Sequence, residues 1–524
     1  MSFFMSRRKW KQLFRQPMSN RIFLLMAVLW SLYMLIFLNL PVPNIPLNNV
    51  YHHGNNLNEA ENINTKQDET MKFFLQRLNS FNSKYLEFSD LNLAGRLSVK
   101  DTQPIPDDKN KSSVRKHIDD ISLKTVTETD HMKHDVPIMD NEEMDKWFSS
   151  RETYCRDQLQ LFDNNFVHIS NATINTSLAS GRKGGEKINS VFNQAEIKEY
   201  YTMKPGFFQL KCNEHVPNYR FDGIKNHLSL WLQALEMVPV LPGAEQTVRD
   251  FTIAITRYEY ANLYHTMTDY YNAFLLMKFF NHSPGETNIL FIDGHPNGAL
   301  DPVWKTLFNS SDYIGRKTKV VKYTNLAWGI LGYSSPMHKH SRKNIPYIED
   351  FSQFFLKRYN ISNDKKLNCD NLTISFIWRR DYLAHPRNPT GFVTRKIKNE
   401  KELLNVTHEM YPRFTVKSSQ IDLLSMKQQL QYVSNSDILV GMHGAGLTHV
   451  LFLPKHAGLI EFYPTYWSVN NVHFQTLSKW RGLHNILWKN NEIANELPNK
   501  YTYIPLSIFQ VQLKTMVNKL CPDT

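Results

Sequence analysis

A run of nineteen uncharged residues, Ile22–Leu40, constrains this chain more than any other stretch. As an α-helix it would be about 28 Å long, close to the hydrocarbon thickness of a bilayer. The alternatives are a cleaved signal peptide, which has a shorter apolar segment ending in small residues, and a buried core helix. Six basic residues and no acidic residue precede the run, so the positive-inside rule places residues 1–21 in the cytoplasm. We therefore predict a signal anchor over residues 22–40 and a type II topology.

The basic balance of the chain does not indicate a nucleic-acid partner. The formal net charge is +12, and the six basic residues of the predicted cytoplasmic tail supply half of it. The remainder shows no basic stripe of the kind that nucleic-acid-binding proteins carry. Residues 41–150 are polar and rich in Asn, Lys and Asp, without sustained apolar periodicity. We expect this segment to be a stem that holds a folded body away from the membrane.

Cysteines and sequons fit an exported body. Four cysteines follow the predicted anchor, where an oxidising compartment would let them pair in any of three ways, and none has zinc-ligand spacing. They are Cys155, Cys212, Cys369 and Cys521. Eight Asn-x-Ser/Thr sequons lie on the same side of the anchor, beginning at Asn110, Asn171, Asn175, Asn281, Asn309, Asn360, Asn371 and Asn405.

From about residue 150, short apolar runs alternate with helical patterns, which is typical of βαβ units and a parallel sheet. This α/β pattern predicts two Rossmann-like domains, residues 151–365 and 366–524, with a cleft between them. The predicted strands are Phe251–Thr256, Asn288–Ile292 and Lys319–Val321 in the first half, and Leu372–Trp378, Ile438–Val440, Leu459–Phe462 and His484–Leu487 in the second.

A turn of small residues follows the predicted strand at residues 438–440. Its residues His443, Gly444, Ala445 and Gly446 lead into a helix whose first backbone N–H groups would be free to bind phosphate. The two glycines permit positive φ and close backbone approach, and His443 can donate a hydrogen bond. The alternative is that the glycines only let the helix pack on the sheet.

Two neighbouring strand ends carry charged residues that suit a nucleotide. Arg379 and Arg380 follow the strand at residues 372–378, at the edge where open α/β sheets bind ligands. Paired arginines can neutralise a diphosphate, although such pairs also serve as ordinary surface residues. Glu461, in the strand at residues 459–462, is a candidate for binding ribose hydroxyls.

The first half offers candidate bases. His265 and Asp269 lie four residues apart after the strand at residues 251–256, so a helix would present both on one face towards the cleft. They could equally form a pair on a solvated helix surface. Arg257, Glu259 and Asn262 in the same segment are candidate acceptor-binding residues.

Several motifs are absent from the sequence. It contains no Asp-x-Asp, Walker-type phosphate loop, zinc-spaced His/Cys cluster or Gly-x-Ser-x-Gly elbow. Phosphate charge would then be met by arginines, His443 and a helix N-terminus. We therefore expect metal-independent chemistry, with no metal site and no required cofactor.

Five stretches make the chain resemble glycosyltransferase family 61, and within it the members that add xylose to N-glycan cores. The stretches are Thr256–Asp269, Phe291–His295, Arg379–Arg387, Gly441–His449 and Leu520-Cys521. The resemblance implies a GT-B fold, an inverting reaction without strict metal need, UDP-xylose as donor and O2 of the core β-mannose as acceptor, at the Golgi membrane. The arginines and the His443–Gly446 turn would bind the diphosphate, Glu461 the ribose, and Asp269 or His265 would be the base.

Two other functions stay open. Related family members transfer N-acetylglucosamine to Ser or Thr of lumenal proteins, and a non-catalytic glycan-binding protein could keep the same fold. The plant members that the chain resembles carry an additional acidic residue between the paired arginines and the Tyr-Leu-Ala-His-Pro-Arg run. The resemblance therefore does not decide between Arg379 and Arg380.

Overall fold

A computed structural model describes residues 142–192, 194–214, 227–317 and 319–522, all within one compact unit. The predicted tail, the predicted anchor and residues 41–141 of the predicted stem lie outside the described residues. Within the described ranges, no helix combines the length and the apolar character needed to span a bilayer. Residues 142–149, assigned above to the stem, form a helix whose Trp147 is 2% exposed and packs edge-on against Phe166. The folded body therefore includes this helix, and the predicted boundary at residue 150 is wrong.

The described residues form the following helices and strands. The α-helices are α1 (Glu142–Ser149), α2 (His227–Gln233), α3 (Leu263–Phe279), α4 (Asp301–Leu307), α5 (Ile348–Arg358), α6 (Glu400–Met410), α7 (Met426–Ser434), α8 (His473–Trp480) and α9 (Leu506–Leu520). The strands are β1 (Arg151–Tyr154), β2 (Leu159–Phe162), β3 (Phe166–Asn175), β4 (Ala179–Ser180), β5 (Thr202–Met203), β6 (Phe208–Lys211), β7 (Leu235–Val238), β8 (Gln246–Val248), β9 (Phe251–Ile255), β10 (Thr287–Phe291), β11 (Ser310–Tyr313), β12 (Val320–Trp328), β13 (Thr373–Ile377), β14 (Lys396–Ile397), β15 (Thr415–Ser419), β16 (Ile438–Met442), β17 (Gly458–Tyr463), β18 (His484–Lys489), β19 (Glu496–Leu497) and β20 (Tyr501–Thr502).

The first large sheet has ten strands and is mixed. β12, β9, β10 and β11 are parallel neighbours, and β3, β2 and β1 continue the sheet beyond β12 in antiparallel order. The apolar strand β9 is buried at every residue, as expected for a sheet covered on both faces. The predicted parallel sheet is confirmed for β9, β10 and β12. It is wrong for residues 151–175, because β1, β2 and β3 pair with their neighbours in antiparallel order.

The second large sheet has five parallel strands in the order β15-β13-β16-β17-β18. The four strands predicted for this half are confirmed, and β15 was missed because its polar residues are mostly half-exposed. β13 is followed by β15 on one side of it, whereas β16 is followed by β17 on the other side. The connections that leave β13 and β16 therefore run towards opposite edges of the sheet. This creates a topological switch point at the carboxyl ends of these two strands, where open α/β sheets bind ligands.

One apolar core extends across both halves of the body. The 3₁₀ helix Ala445–Phe452, which follows β16, packs against α3 and α5 of the first half. The rings of Phe355 and Phe452 lie 4.8 Å apart, and the Ser352 hydroxyl donates to the Leu451 carbonyl over 2.6 Å. The two halves thus share a core, and their description as a GT-B pair of domains stays a prediction.

The structure pairs all four cysteines. Cys155 is bonded to Cys212, and Cys369 is bonded to Cys521. This selects one of the three connectivities that the sequence left open.

Candidate functional site

The predicted phosphate-binding residues of the second half meet at the switch point. β13 and β16 pair with Ile377 opposite Gly441, so Arg379 and His443–Gly446 follow adjacent strand ends. The contact is close, because a Cβ built on Gly444 would lie 1.9 Å from Nη1 of Arg379. The structure therefore brings Arg379 and the small-residue turn together.

The two glycines of this turn are needed for space. Gly444 has an extended backbone with φ of 171°, and Gly446 is not among the glycines with positive φ. The expectation of positive φ is thus wrong at both positions. Gly444 makes room for the Arg379 guanidinium, and a Cβ on Gly446 would lie 3.3 Å from Cγ2 of Ile377. These contacts let the 3₁₀ helix approach β13 closely.

A second arginine, missed from the sequence, lies beside Arg379. The Arg395 guanidinium lies 3.8 Å from the centroid of the Trp467 ring, and its Nε is buried without a hydrogen-bond partner among the described residues. Burial, followed by repulsion from Arg379, lowers the pKa of Arg395 to about 9. No periodicity marks Arg395, which lies in a loop with φ of 61° and acquires its neighbours only through folding.

Arg379 and Arg395 form a partly buried pair of cations. Nε of Arg379 donates to the Thr394 carbonyl over 3.1 Å, and burial lowers the pKa of Arg379. Neither guanidinium forms an ion pair with a carboxylate among the described residues. Two such charges repel each other and have lost hydration, so this place favours a ligand with two negative charges.

Residues from both halves line a cavity at this point, which we call the switch-point pocket. Its volume is about 330 Å³. Its lining includes Glu259 and Asn262 before α3, Arg379 and Arg395 after β13, and Ala445 after β16. The predicted acceptor-binding and donor-binding segments therefore meet in one cavity.

Arg380 does not line the switch-point pocket. Its side chain is 51% exposed and pairs with Glu400 at the start of α6. Since Arg379 contacts the turn and Arg380 pairs with Glu400, the geometry favours Arg379 over Arg380 as the phosphate ligand.

His443 is held by Glu461 on the adjacent strand. Nδ1 of His443 lies 2.6 Å from Oε1 of Glu461. Burial raises the pKa of Glu461 to about 8, and burial together with nearby Arg395 lowers the pKa of His443 to about 2. The pair thus keeps two protons at neutral pH, one in the shared hydrogen bond and one on Nε2. His443 can therefore donate from Nε2, whichever partner holds the shared proton.

Glu461 does not lie where a ribose-binding residue would have to lie. Its side chain is fully buried behind His443, so the expected contact with ribose hydroxyls is contradicted. Its place in the structure makes it a positioning residue that fixes the tautomer of His443.

The candidate bases lie on α3, which Asn262 caps by accepting from the Tyr264 backbone N–H over 3.0 Å. Asp269 is buried, its Oδ2 has no partner among the described residues, and burial raises its pKa well above the usual value. His265 is only partly buried, and burial lowers its pKa. At neutral pH, His265 is therefore a neutral acceptor, whereas the buried Asp269 binds a proton more readily than an exposed carboxyl group.

A series of ring contacts connects these bases with the turn after β16. The Tyr264 ring lies 5.6 Å from that of His265 and 4.5 Å from that of His473. The His473 ring lies 6.2 Å from that of His443. His265 and Asp269 do not line the switch-point pocket, so the structure places them near it and not inside it.

Arg257 is structural in this fold. Its fully buried guanidinium donates to Asp293 over 2.7 Å and to Asp301 over 2.9 Å. The predicted contact of Arg257 with the acceptor is contradicted by this burial. The ion pairs instead fix the segment that carries Glu259, whose carboxylate accepts from Arg387 over 3.1 Å at the pocket.

The described residues contain one group with the geometry to bind a metal ion, Cys155, Cys212 and Glu214, and its two cysteines form a disulfide. The expected metal independence stays a prediction.

Part of this chain is similar in sequence to a known protein family. Residues 263–460 match the sequence model of the Glycosyltransferase 61 family. Beta-1,2-xylosyltransferase RCN11 of Oryza sativa subsp. japonica is 27% identical over 59% of this chain and 65% of the relative. The beta-1,2-xylosyltransferase of Arabidopsis thaliana is 27% identical over 46% of this chain and 51% of the relative. The EGF domain-specific O-linked N-acetylglucosamine transferase of Gallus gallus is 29% identical over 44% of this chain and 42% of the relative.

The chain thus spans between about half and two thirds of the length of the two plant relatives. The matched region contains α3, Arg379, Arg395 and the turn after β16. The resemblance found from the motifs is therefore confirmed: residues 263–460 match the glycosyltransferase family 61 model.

Proposed function

We propose that this chain is an inverting glycosyltransferase that moves xylose from UDP-xylose to O2 of the core β-mannose of N-glycans. The family match supports a glycosyltransferase, and the names of the two plant relatives suggest the donor. The proposal includes a GT-B arrangement, a single-pass type II anchor at residues 22–40 and action in the Golgi lumen. Two disulfides fit such an oxidising compartment.

One observation carries the nucleotide-binding part of this proposal: Arg379 and Arg395 lie partly buried at one pocket, and neither forms an ion pair with a carboxylate among the described residues. A UDP diphosphate would supply the missing negative charge. Nε2 of His443 and the first backbone N–H groups of the 3₁₀ helix Ala445–Phe452 would add donors. Donors fixed in this way stabilise the charge on the departing phosphate, and each typically lowers the barrier by about 2.7–4 kcal/mol.

The base on the opposite side is His265 in this proposal. It takes the proton from the acceptor hydroxyl as that oxygen attacks the anomeric carbon and the bond to UDP breaks. Asp269 lies deeper in the fold and burial raises its pKa, so it is better suited to position the acceptor or His265 than to act as the base. His265→Gln should then lose turnover and the acidic limb of the pH profile, which lies below pH 6.5 because the pKa of His265 is lowered. Asp269→Asn should keep that limb.

The test is a donor and acceptor screen with the full-length chain in detergent. UDP-xylose with a trimannosyl N-glycan should give a product heavier by one pentose in mass spectrometry. Arg379→Ala should abolish this product, and Arg380→Ala should retain it. No pentose transfer, or equal loss in both variants, would contradict the proposal. Activity should persist in EDTA, and loss restored by a divalent cation would overturn metal independence.

A second candidate is transfer of N-acetylglucosamine to Ser or Thr of lumenal proteins. The relatives named EGF domain-specific O-linked N-acetylglucosamine transferase favour it at 27% to 29% identity. Mass spectrometry separates the two, since this reaction adds an N-acetylhexosamine to a peptide from UDP-N-acetylglucosamine. A non-catalytic glycan-binding protein would instead bind glycans without turnover, and its biological role would survive Arg379→Ala.

A further inference from the structure

Two exposed tyrosines that the reaction scheme does not use lie beside the candidate bases. Tyr258 is 43% exposed and Tyr333 is 52% exposed. Their ring centroids are 4.5 Å apart at an interplanar angle of 65°, and their hydroxyl groups are hydrogen-bonded to each other. We call these two rings the tyrosine platform. Large aromatic side chains grouped at a surface commonly mark a binding site.

The tyrosine platform lies directly beside the candidate bases. The Tyr258 ring lies 5.3 Å from that of His265, and the Tyr333 ring lies 6.4 Å from it. Gly332 precedes Tyr333, and a Cβ on it would lie 3.6 Å from both Oδ1 of Asp269 and Cβ of Tyr258. The backbone of Tyr258 also stabilises the charged form of Asp269. A ligand resting on the two rings would therefore lie next to His265, the more exposed of the two candidate bases.

Two buried polar atoms close to the tyrosine platform lack hydrogen-bond partners. Nδ1 of His265 and Oδ2 of Asp269 are buried without a hydrogen bond among the described residues. Buried polar atoms in native proteins are nearly always paired, with protein, water or ligand. The exposed rings next to the partly buried His265 suit a ligand with one apolar face and several hydroxyl groups.

We infer that the tyrosine platform binds a pyranose ring of the acceptor, and that the acceptor is therefore a saccharide and not a peptide hydroxyl. This inference rests on the proposed function. One face of a pyranose consists of C–H groups that pack on aromatic rings, while its edge carries hydroxyl groups. With the C–H face on the platform, hydroxyl groups at the ring edge would lie beside His265.

Truncation of each ring tests the inference in the full-length chain. Tyr258→Ala and Tyr333→Ala should each raise the KM for a trimannosyl N-glycan about tenfold, in the range that loss of an aromatic stacking partner costs elsewhere. The KM for UDP-xylose should stay unchanged. Tyr258→Phe and Tyr333→Phe keep the rings and should keep most of the affinity. Phe148→Ala is a matched control, since Phe148 is 62% exposed and lies outside the site. Melting temperatures establish that each variant folds.

The possible results distinguish a failure of the tyrosine platform from a failure of the proposed function. An unchanged acceptor KM in the double Tyr→Ala variant, an equal loss in the Phe variants, or transfer to peptide alone would overturn the platform while leaving a glycosyltransferase. If the wild-type chain transfers no sugar, saturation-transfer NMR with the same glycan and UDP decides. Glycan contacts that disappear in the double Tyr→Ala variant would support the platform even though the proposed function had failed. Absence of contacts in the wild type, or contacts that persist in that variant, would overturn it.

Discussion

Arg395 is a side chain whose burial should cost stability and serve binding. Its guanidinium stacks on Trp467, has a buried Nε without a partner and lies near the second cation, Arg379. Arg395→Met keeps much of the stacking area and removes an uncompensated buried charge. We expect the melting temperature to rise by a few degrees, on the order of 1 kcal/mol of stability. UDP should bind about 10- to 100-fold more weakly, the equivalent of one lost charged hydrogen bond.

Calorimetric titration with UDP and thermal melts of the full-length chain measure both effects. Arg380→Ala is the matched control, because Arg380 is half-exposed and pairs with Glu400 outside the switch-point pocket. It should change UDP affinity by less than about twofold. A drop in melting temperature together with unchanged UDP affinity in Arg395→Met would show that Arg395 is a structural residue.

The pair of His443 and Glu461 should shape the pH dependence of stability. The usual pKa values are 6.5 and 4.5, and folding moves them to about 2 and about 8, respectively. Between pH 4.5 and 6.5 the folded and unfolded states bind the same number of protons at this pair, so it contributes no slope. Above pH 6.5 the unfolded state binds fewer protons, and stability falls as pH rises to about 8. Below pH 4.5 the unfolded state binds more protons at this pair than the folded state does, so stability falls on acidification.

Glu461→Gln changes this profile in a predictable direction. Without the carboxyl group, the decline above pH 6.5 should disappear. A decline on acidification should instead begin near pH 6.5, since His443 alone then resists protonation in the fold. Melting temperatures of the two proteins, measured in parallel from acidic to alkaline pH, give the difference. Parallel curves would contradict the assigned protonation of this pair.

The turn between β16 and the 3₁₀ helix depends on the space at Gly444. Its extended φ of 171° accepts alanine, but the new Cβ would lie 1.9 Å from Nη1 of Arg379 and push that side chain aside. Gly444→Ala should therefore weaken UDP binding about tenfold while changing stability by less than about 1 kcal/mol. Gly243→Ala is the control, because a Cβ there meets nothing within 4 Å. Unchanged UDP affinity in Gly444→Ala would mean that Arg379 does not bind the diphosphate.

Burial decides which elements and residues could be predicted. β9, β13 and β16 are apolar and buried at every residue, and a fully buried strand leaves a continuous apolar run in the sequence. β15 is polar and partly exposed, so it leaves none. Arg379 was predictable because it directly follows a buried strand. Arg395 was not, because its position depends on a loop conformation and on Trp467, which is distant in the sequence.

The division of the whole body was predicted less well than its strands. Alternating strands and helices fit two Rossmann-like halves, but the same pattern arises when two sheets share one core. Which case applies depends on side chains such as Phe355 and Phe452, whose 4.8 Å contact joins the halves and leaves no mark in the periodicity. The switch-point pocket depends on the same packing, since its lining comes from both halves.

The two disulfides should contribute unequally to the stability of the whole body. Cys155–Cys212 spans 57 residues, whereas Cys369–Cys521 spans 152 residues and encloses the entire second large sheet. Closing a longer loop removes more entropy from the unfolded chain, by roughly 1 kcal/mol for this difference in length, within a usual total of about 2–5 kcal/mol per disulfide. Replacing Cys369 and Cys521 by Ser should therefore lower the free energy of unfolding more than replacing the other pair. Urea denaturation of the two double variants measures this order, and the reverse order would show that native-state packing outweighs loop entropy.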